Sequence, residues 1–206
     1  MTIYLVRHGE THWNRVRKLQ GQKDSPLTWL GVQQVIAFGR QLAQEFAGKP
    51  VPHIFASPLG RTAQSASIIA DVMGLPFSNV QFDERLLERN QGAWDGLTAD
   101  EINAAFSPDP TERRAWDFAP PGGESLQQVH ERVASFVAEL PIDQVSIAIC
   151  HGVVSRVMRG VHLALPPKEI IDLPGHTQDR LFKLHKGRVE SILCESAPQD
   201  DAPWVG

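Results

Sequence analysis

Short apolar runs alternate along this chain with longer segments whose apolar residues recur at helical spacing. The apolar runs most typical of buried strands are residues 3–6, 53–56 and 145–150. The predicted helices are 29–46, 58–73, 126–140 and 153–163, with a shorter one after Thr98. Strands that alternate with helices are typical of a mainly parallel sheet covered on both faces. The pattern therefore predicts a single three-layer α/β domain.

Local signals set the expected boundaries of these elements. Ser57 followed by Pro58 has the form of a helix start, with a capping hydroxyl before a proline in the first turn. Ser125 and Gln128 have the spacing of a capping box, which predicts a helix that begins beside them. We also expect an extended segment over 82–87.

The end of the chain lacks the alternation of strands and helices that is predicted for the rest. Residues 180–185 and 188–194 flank Lys186 and Gly187, which predicts a terminal hairpin. Residues 196–206 are rich in proline and aspartate, and we expect a loosely ordered tail there. The predicted domain therefore covers residues 1–195.

Composition narrows the classes of function. The 206 residues carry a formal net charge of −4, and 42% of them are hydrophobic. A nucleic-acid surface would need a basic excess, and a membrane span would need a longer apolar run than any present. Two cysteines, Cys150 and Cys194, are too few for a disulfide framework. We therefore expect a cytoplasmic protein that binds neither nucleic acid nor membrane, as a monomer or a homodimer.

Chemistry-bearing residues follow three of the predicted elements. Arg7, His8 and Gly9 come directly after the first strand, Arg61 lies early in the helix after the second, and His151 with Gly152 follows the third. Parallel strands place such junctions at one edge of the sheet, where ligands bind. Arginine forks, imidazoles and helix N-termini together suit a tetrahedral phosphate dianion.

Six motifs in register make the chain resemble the histidine phosphatase superfamily, the phosphoglycerate-mutase-like group. The motifs are RHGET at 7–11 with Asn14, QGQKDSPLT at 20–28, SPLGRTAQSA at 57–66, ERNQGAWDG at 88–96, GGESL at 122–126 and HG at 151–152. Each motif alone is weakly specific, but together and in this order they cover nearly the whole chain.

The resemblance implies a role for each of five side chains. His8 would attack phosphorus and form a phosphohistidine that water hydrolyses. Arg7, Arg61 and His151 would hold the equatorial oxygens, where transition-state charge collects. Glu88 would protonate the leaving oxygen and then activate water.

Further phosphate contacts are matched to Asn14, Gln20, Gly21 and Gly152. His12 lies four residues after His8, but no third ligand follows at standard spacing, so we predict no metal and no cofactor. Of the other histidines only His176 is of interest, because the segment around it is expected to line the pocket mouth.

Alternatives remain for several of these residues. Arg61 could be a solvated helix arginine paired with Asp71 or Glu84, and Glu88 could belong to a solvated charged cluster. Cys150 and Arg156 have the spacing of a cysteine-dependent phosphatase loop, in which a thiolate would be the nucleophile. Against that reading, it gives no role to Arg7, His8 or Arg61.

The segment 97–121 bears on whether the chain is a phosphatase or a mutase. It is modest in length and broken by prolines, whereas a mutase is expected to need a long lid, so a compact phosphatase acting on a small phosphorylated metabolite is favoured. Arg113 and Arg114 within it could bind a substrate carboxylate or second phosphate. Mutase-type phosphoryl transfer and a non-catalytic phosphoester-binding module remain as alternatives.

Overall fold

A six-stranded sheet forms the centre of the protein in a computed structural model, which describes residues 1–107, 109 and 111–194. The strands are β1 (Thr2–Arg7), β2 (His53–Ala56), β3 (Val80–Phe82), β4 (Val145–Cys150), β5 (Arg180–His185) and β6 (Arg188–Leu193). They are ordered β3-β2-β4-β1-β5-β6. The first four in that order run parallel, whereas β5 is antiparallel to β1 and β6 to β5. The predicted α/β class with a mainly parallel sheet is confirmed.

Helices cover both faces of this sheet. They are α1 (His12–Arg15), α2 (Trp29–Phe46), α3 (Gly60–Val72), α4 (Ala99–Phe106), α5 (Leu126–Glu139), α6 (Gly152–His162) and α7 (Pro167–Asp172). Side chains alternate along a strand, so neighbours in β1 enter different cores. Ile3 and Leu5 pack in the core with α5 and α6, whereas Tyr4 and Val6 pack in the core with α2 and α3.

The register of the parallel strands brings their carboxyl ends to one edge. Arg7 pairs with Cys150, and Ala56 pairs with Ile149. The ladder continues one residue further, since the His8 amide donates to the Cys150 carbonyl at 3.1 Å and the Ser57 amide to the Ile149 carbonyl at 3.0 Å. The three junctions singled out in the sequence therefore lie side by side.

The predicted capping box of Ser125 with Gln128 at α5 is confirmed, and one helix start is wrong. Thr28 also caps α2, where its side chain accepts from the Gly31 amide. The helix predicted from Pro58 begins instead at Gly60, after the extended residue Leu59. The carboxylate of Asp24 accepts from the Gly60 amide at 2.6 Å, so the cap comes from a residue distant in sequence.

One further prediction needs correction, two short helices were missed, and one prediction is untested. The extended segment expected over 82–87 is instead β3 followed by a 3₁₀ turn at Glu84–Leu86, because the Asp83 side chain accepts from the Arg85 amide and closes a turn. The helices α1 and α7 were not predicted, since four and six residues are too few for an apolar period. The predicted tail, 196–206, lies outside the described residues.

Candidate active site

The three junctions bring two imidazoles and a guanidinium together at the carboxyl edge of the sheet. The ring centroids of His8 and His151 are 5.2 Å apart. Arg61 Nε donates to His151 Nδ1 at 3.2 Å. All three residues are buried, with Arg61 only 1% exposed. Residues separated by about 140 positions in the chain therefore form one cluster, as the strand pattern predicts.

His8 is held as a neutral imidazole of defined tautomer. Its Nδ1 lies 2.7 Å from the Gly9 carbonyl, and a carbonyl only accepts, so Nδ1 carries the proton. The lone pair is then on Nε2. Burial lowers the pKa of His8 well below its usual value, and the charges of Arg61 and Arg7 lower it further. At neutral pH the ring is therefore uncharged, and its unprotonated Nε2 can act as a nucleophile.

His151 has the same charge state for similar reasons. Because Arg61 can only donate to Nδ1, the proton is on Nε2, which lies 2.8 Å from Ser57 Oγ and donates to it. Burial and the charge of Arg61 lower its pKa well below the usual value. The Ser57 hydroxyl therefore orients a catalytic-site histidine rather than capping the helix that follows.

Arg61 is fixed by acceptors from the segment before α2. Nη1 donates to the Lys23 carbonyl at 2.7 Å and to Asp24 Oδ1 at 2.9 Å, and Nη2 donates to the Gly21 carbonyl at 2.7 Å. With the bond to His151, acceptors in the described part of the chain take four of its five N–H groups. Its acid partner is Asp24 rather than Asp71 or Glu84. The alternative in which Arg61 is a solvated helix arginine is therefore wrong. These hydrogen bonds hold its guanidinium group in one orientation.

Arg7 is buried beside this cluster, where Nη1 donates to the main-chain carbonyl of His176 at 2.7 Å. The sequence predicted that the segment around His176 lines the pocket mouth. His176 is instead fully buried and reaches the site through its backbone.

Glu88 is half-buried and contacts the start of α6, next to His151. Its Oε2 accepts from the Val153 amide in the first turn of α6 at 3.3 Å, and its Oε1 accepts from the Arg89 amide at 2.9 Å. The Glu88 charge also raises the pKa of Arg61 against the lowering caused by burial, so the carboxylate is within electrostatic reach of the pocket. Glu88 therefore differs from its neighbour Glu84, whose side chain is exposed to solvent.

The lesser predicted contacts are also close to this edge. Asn14 Oδ1 accepts from the Thr11 amide at 3.1 Å, which leaves the NH₂ group of that side chain as the end that can donate to an anion. Gln20 is buried and Gly21 has a φ of +48°. A side chain on Gly21 would lie 1.9 Å from Asp95 Oδ1, so only glycine fits. Gly152 is the first residue of α6, directly after His151.

Arg113 and Arg114 lie in a 3₁₀ turn, outside the buried cluster. The Arg113 guanidinium is 5.0 Å from the centroid of the Trp94 ring and donates to Asn103 Oδ1 at 3.2 Å. Arg114 Nη2 is 2.6 Å from Asp172 Oδ1, and these side chains are 67% and 55% exposed. The structure gives both arginines protein partners, and their contact with substrate stays a prediction.

The thiolate alternative does not fit the structure. Cys150 is fully buried in the core shared with α5 and α6, and burial raises the pKa of its thiol. A protonated thiol inside the core is neither nucleophilic nor accessible to substrate.

Four residues in contact with the site were missed by the sequence analysis as functional: Asp24, Ser57, Ser155 and Gln178. Asp24 and Ser57 lie inside two of the six motifs, so the sequence places them near the site but does not indicate which side chains they bond. Ser155 and Gln178 lie outside every motif, and their contacts are made only by the tertiary fold.

Among the described residues, no group of three or more His, Cys, Asp or Glu side chains is arranged to hold a metal ion. No helix among those residues has the length and hydropathy to cross a bilayer.

Comparison with known proteins identifies the class of protein. The family model of the histidine phosphatase superfamily (branch 1) matches residues 3–188. The chain belongs to this superfamily, which confirms the resemblance drawn from the motifs, and it is therefore a phosphatase or a phosphoryl-transfer enzyme.

Individual relatives include both activities. A probable phosphoglycerate mutase GpmB of Enterobacter sp. (strain 638) is 33% identical over 217 aligned positions, covering 100% of this chain and 90% of the relative. A mycobacterial glucosyl-3-phosphoglycerate phosphatase solved with VO3 is 30% identical with a TM-score of 0.76, covering 93% of this chain and 97% of the other. Bacillus stearothermophilus YhfR is 28% identical with a TM-score of 0.73, covering 96% and 98%.

Proposed function

We propose that this protein is a metal-independent phosphomonoesterase that acts on a small phosphorylated metabolite through a phosphohistidine intermediate. The observation that carries the proposal is the state of His8, a buried neutral imidazole whose proton is held on Nδ1 by the Gly9 carbonyl. An imidazole with its lone pair on Nε2, beside two arginines, has the protonation state that attack on phosphorus needs.

Charge stabilisation comes from groups that are already in place. Arg7 and Arg61 are buried, and Arg61 is oriented by the main chain around Gly21 and Lys23. Fixed donors in a site that excludes water stabilise developing charge without a cost of reorganisation during the reaction. In this proposal they hold the equatorial oxygens while His8 attacks, and the fifth N–H of Arg61, which has no acceptor among the described residues, would donate to the anion.

Proton transfer is assigned to Glu88. In the first step it donates a proton to the leaving oxygen, and in the second it accepts one from the water that attacks phosphohistidine. Its bonds to two main-chain amides hold the carboxyl group at the start of α6, next to the junction that carries His151. A module that only bound phosphoesters would need no acid on the leaving-group side, which favours an enzyme.

Phosphoglycerate-mutase-type transfer is the second candidate, favoured by the similarity to the probable phosphoglycerate mutases. Arg113 and Arg114 would then hold the carboxylate of a phosphoglycerate. Against it, the described residues between Gly96 and Gly122 form the short helix α4 and one 3₁₀ turn, whereas a mutase must shield its phosphoenzyme from water.

A turnover assay tests the proposal. Purified protein should release phosphate from an aryl phosphate, and from members of a panel of phosphorylated metabolites, in excess chelator. Binding of these compounds without turnover would support the non-catalytic module. Conversion of 3-phosphoglycerate to its isomer, stimulated by bisphosphoglycerate, would instead support the mutase.

A further inference from the structure

The loop between α7 and β5 reaches the two residues at the end of β1. We call residues 174–178 of this loop the 174–178 segment. The carbonyl of His176 accepts from Arg7 Nη1 at 2.7 Å, and Gln178 Nε2 donates to the carbonyl of His8 at 2.8 Å. The segment therefore contacts, through different groups, an arginine of the pocket and the candidate nucleophile.

The His176 end of the segment is rigid. Its Nε2 lies 3.0 Å from the Arg180 carbonyl, so Nε2 carries the proton, and Nδ1 accepts from Ser155 Oγ at 2.8 Å. Burial lowers the pKa of His176 to about 3, which keeps this ring neutral. Arg159 also donates to the Pro174 carbonyl at 2.6 Å. The His176 carbonyl that receives Arg7 is thus fixed by bonds to α6 and β5.

The Gln178 end controls the peptide between His8 and Gly9. Gln178 Nε2 donates to the carbonyl of this peptide, which belongs to His8. The N–H of the same peptide, which belongs to Gly9, donates to Ser65 Oγ at 3.3 Å. The next carbonyl, that of Gly9, is the acceptor that sets the tautomer of His8. A rotated peptide would move this acceptor and with it the imidazole.

Gln178 keeps this bond at a cost. It is fully buried, and its Oε1 has no hydrogen-bond partner among the described residues. An unsatisfied buried carbonyl is destabilising, and such groups call for a functional explanation. A methionine of similar length would fill the same space without that penalty. Stability alone therefore does not explain a glutamine here.

We propose that the 174–178 segment is a positioning element, in which the His176 carbonyl directs Arg7 toward the bound anion and the Gln178 amide holds His8 in line for attack. The proposal rests on the phosphoryl-transfer role given to His8 above. It predicts that the two ends have separable effects: Gln178 acts on the chemical step, whereas Ser155 and His176 act on anion binding through Arg7.

The Gln178 end is tested by Gln178→Met. We expect kcat to fall about 10- to 100-fold, because a misplaced nucleophile loses the near-attack geometry. The dissociation constant of inorganic phosphate, a probe of the anion pocket that forms no bond to His8, should change by less than about threefold, since Arg7 keeps its partner. The melting temperature should change little. Gln34→Met is the matched control, because Gln34 is equally buried, its Oε1 accepts from the Glu10 amide, and its amide nitrogen has no partner among the described residues.

The His176 end is tested by Ser155→Ala, which removes one oxygen and is expected to fold. We predict that inorganic phosphate binds about tenfold more weakly and that KM rises, with a smaller change in kcat. Ser146→Ala is the control, because Ser146 is also fully buried and its hydroxyl has no partner in the described part of the chain.

Variants that keep wild-type kcat and wild-type affinity for inorganic phosphate, whatever their melting temperatures, would show that the segment is only structural. The proposal is also contradicted if Gln178→Met weakens phosphate binding and spares kcat. If Gln178→Met fails to fold, Ser155→Ala decides alone through phosphate affinity. Absence of turnover in the wild type would contradict the proposed function instead, and phosphate affinity would still test the contact with Arg7.

Discussion

The phosphate side of the candidate site and its leaving-group side differ in how firmly the fold holds them. On the phosphate side, Arg61 and His151 are buried and bonded to each other, and Arg61 uses most of its donors on the protein. On the leaving-group side, Glu88 is half-buried, and Arg114 is exposed with one exposed acid as its partner. A rigid anion pocket therefore faces a looser surface.

This difference separates binding of the phosphoryl group, which the fold determines, from recognition of the rest of the substrate. The phosphoryl group is the same in every substrate of this chemistry, so its pocket can be rigid and built into strand ends. The rest of the substrate varies, and in the function proposed above it would meet Arg113 and Arg114 on the segment between α4 and α5. In that proposal the sheet edge carries the chemistry, and the exposed segment beside it selects the substrate.

Loss of the nucleophile is the largest expected effect and tests the phosphate side. We expect His8→Ala to abolish turnover while the protein stays folded, because His8 follows β1 and does not belong to either hydrophobic core. Activity assays alongside a thermal melt measure both. A folded His8→Ala protein with full activity would contradict the assignment.

Loss of the proton donor should have the next largest effect, and it tests the leaving-group side. Glu88→Gln should lower kcat by roughly 10²–10⁴-fold for alkyl phosphates, whose leaving group needs a proton. For aryl phosphates the loss should be much smaller. Equal losses on both substrate types would mean that Glu88 is structural, and Asp95 or Asp83 should then be tested.

Stability should depend on pH because the phosphate side buries neutral histidines. The pKa values of His8, His151 and His176 are all lowered by folding, so the unfolded chain binds more protons once the pH falls below about 6.5. These histidines therefore do not lower the free energy of unfolding above that pH. Below it, each of them lowers the free energy of unfolding by about 1.4 kcal/mol per pH unit.

Denaturant unfolding at pH 7.5, 6.5 and 5.5 measures this loss. His176→Asn is a useful comparison, since it removes one of the three titrating groups and should reduce the slope. A free energy of unfolding that is constant over this range would contradict the neutral, buried state of these rings.

Removal of the arginine pair is expected to have a smaller effect that depends on the substrate. If Arg113 and Arg114 bind a carboxylate or second phosphate, replacing both with alanine should raise KM for the physiological substrate by about ten- to a hundredfold in a sheltered site. Exposure of Arg114 places the expected value toward the lower end.

An aryl phosphate without a charged tail is the control substrate for this pair. Its KM should barely change, because it offers the guanidinium groups nothing to bind. A small and uniform change across all substrates would show that the two arginines are ordinary surface charges.

Replacement of the buried thiol should have the smallest effect. Cys150→Ser should keep activity within about twofold, since the sulfur packs in the core and takes no part in the chemistry. Some stability should be lost, because a hydroxyl is less favourable there. Complete loss of activity in a folded variant would restore the thiolate alternative.

The sequence predicted the phosphate side better than the rest of the site. Arg7 ends β1, and His8 and His151 directly follow β1 and β4, whose apolar patterns are plain, so their convergence followed from the geometry of a parallel sheet. The start of α3 could not be predicted, because its cap is Asp24, thirty-six positions earlier. Contacts made by Ser155 and Gln178 were also out of reach, since no local pattern marks a side chain whose partner is chosen by the tertiary fold.

Trapping the phosphoenzyme tests the central claim most directly. Wild-type protein quenched during turnover should carry phosphate on His8 that is labile in acid and stable in alkali, as expected for a phosphoramidate. His8→Ala should carry none, and Cys150→Ser should carry as much as the wild type. Phosphate bound to Cys150, or turnover with no label on His8, would contradict the account.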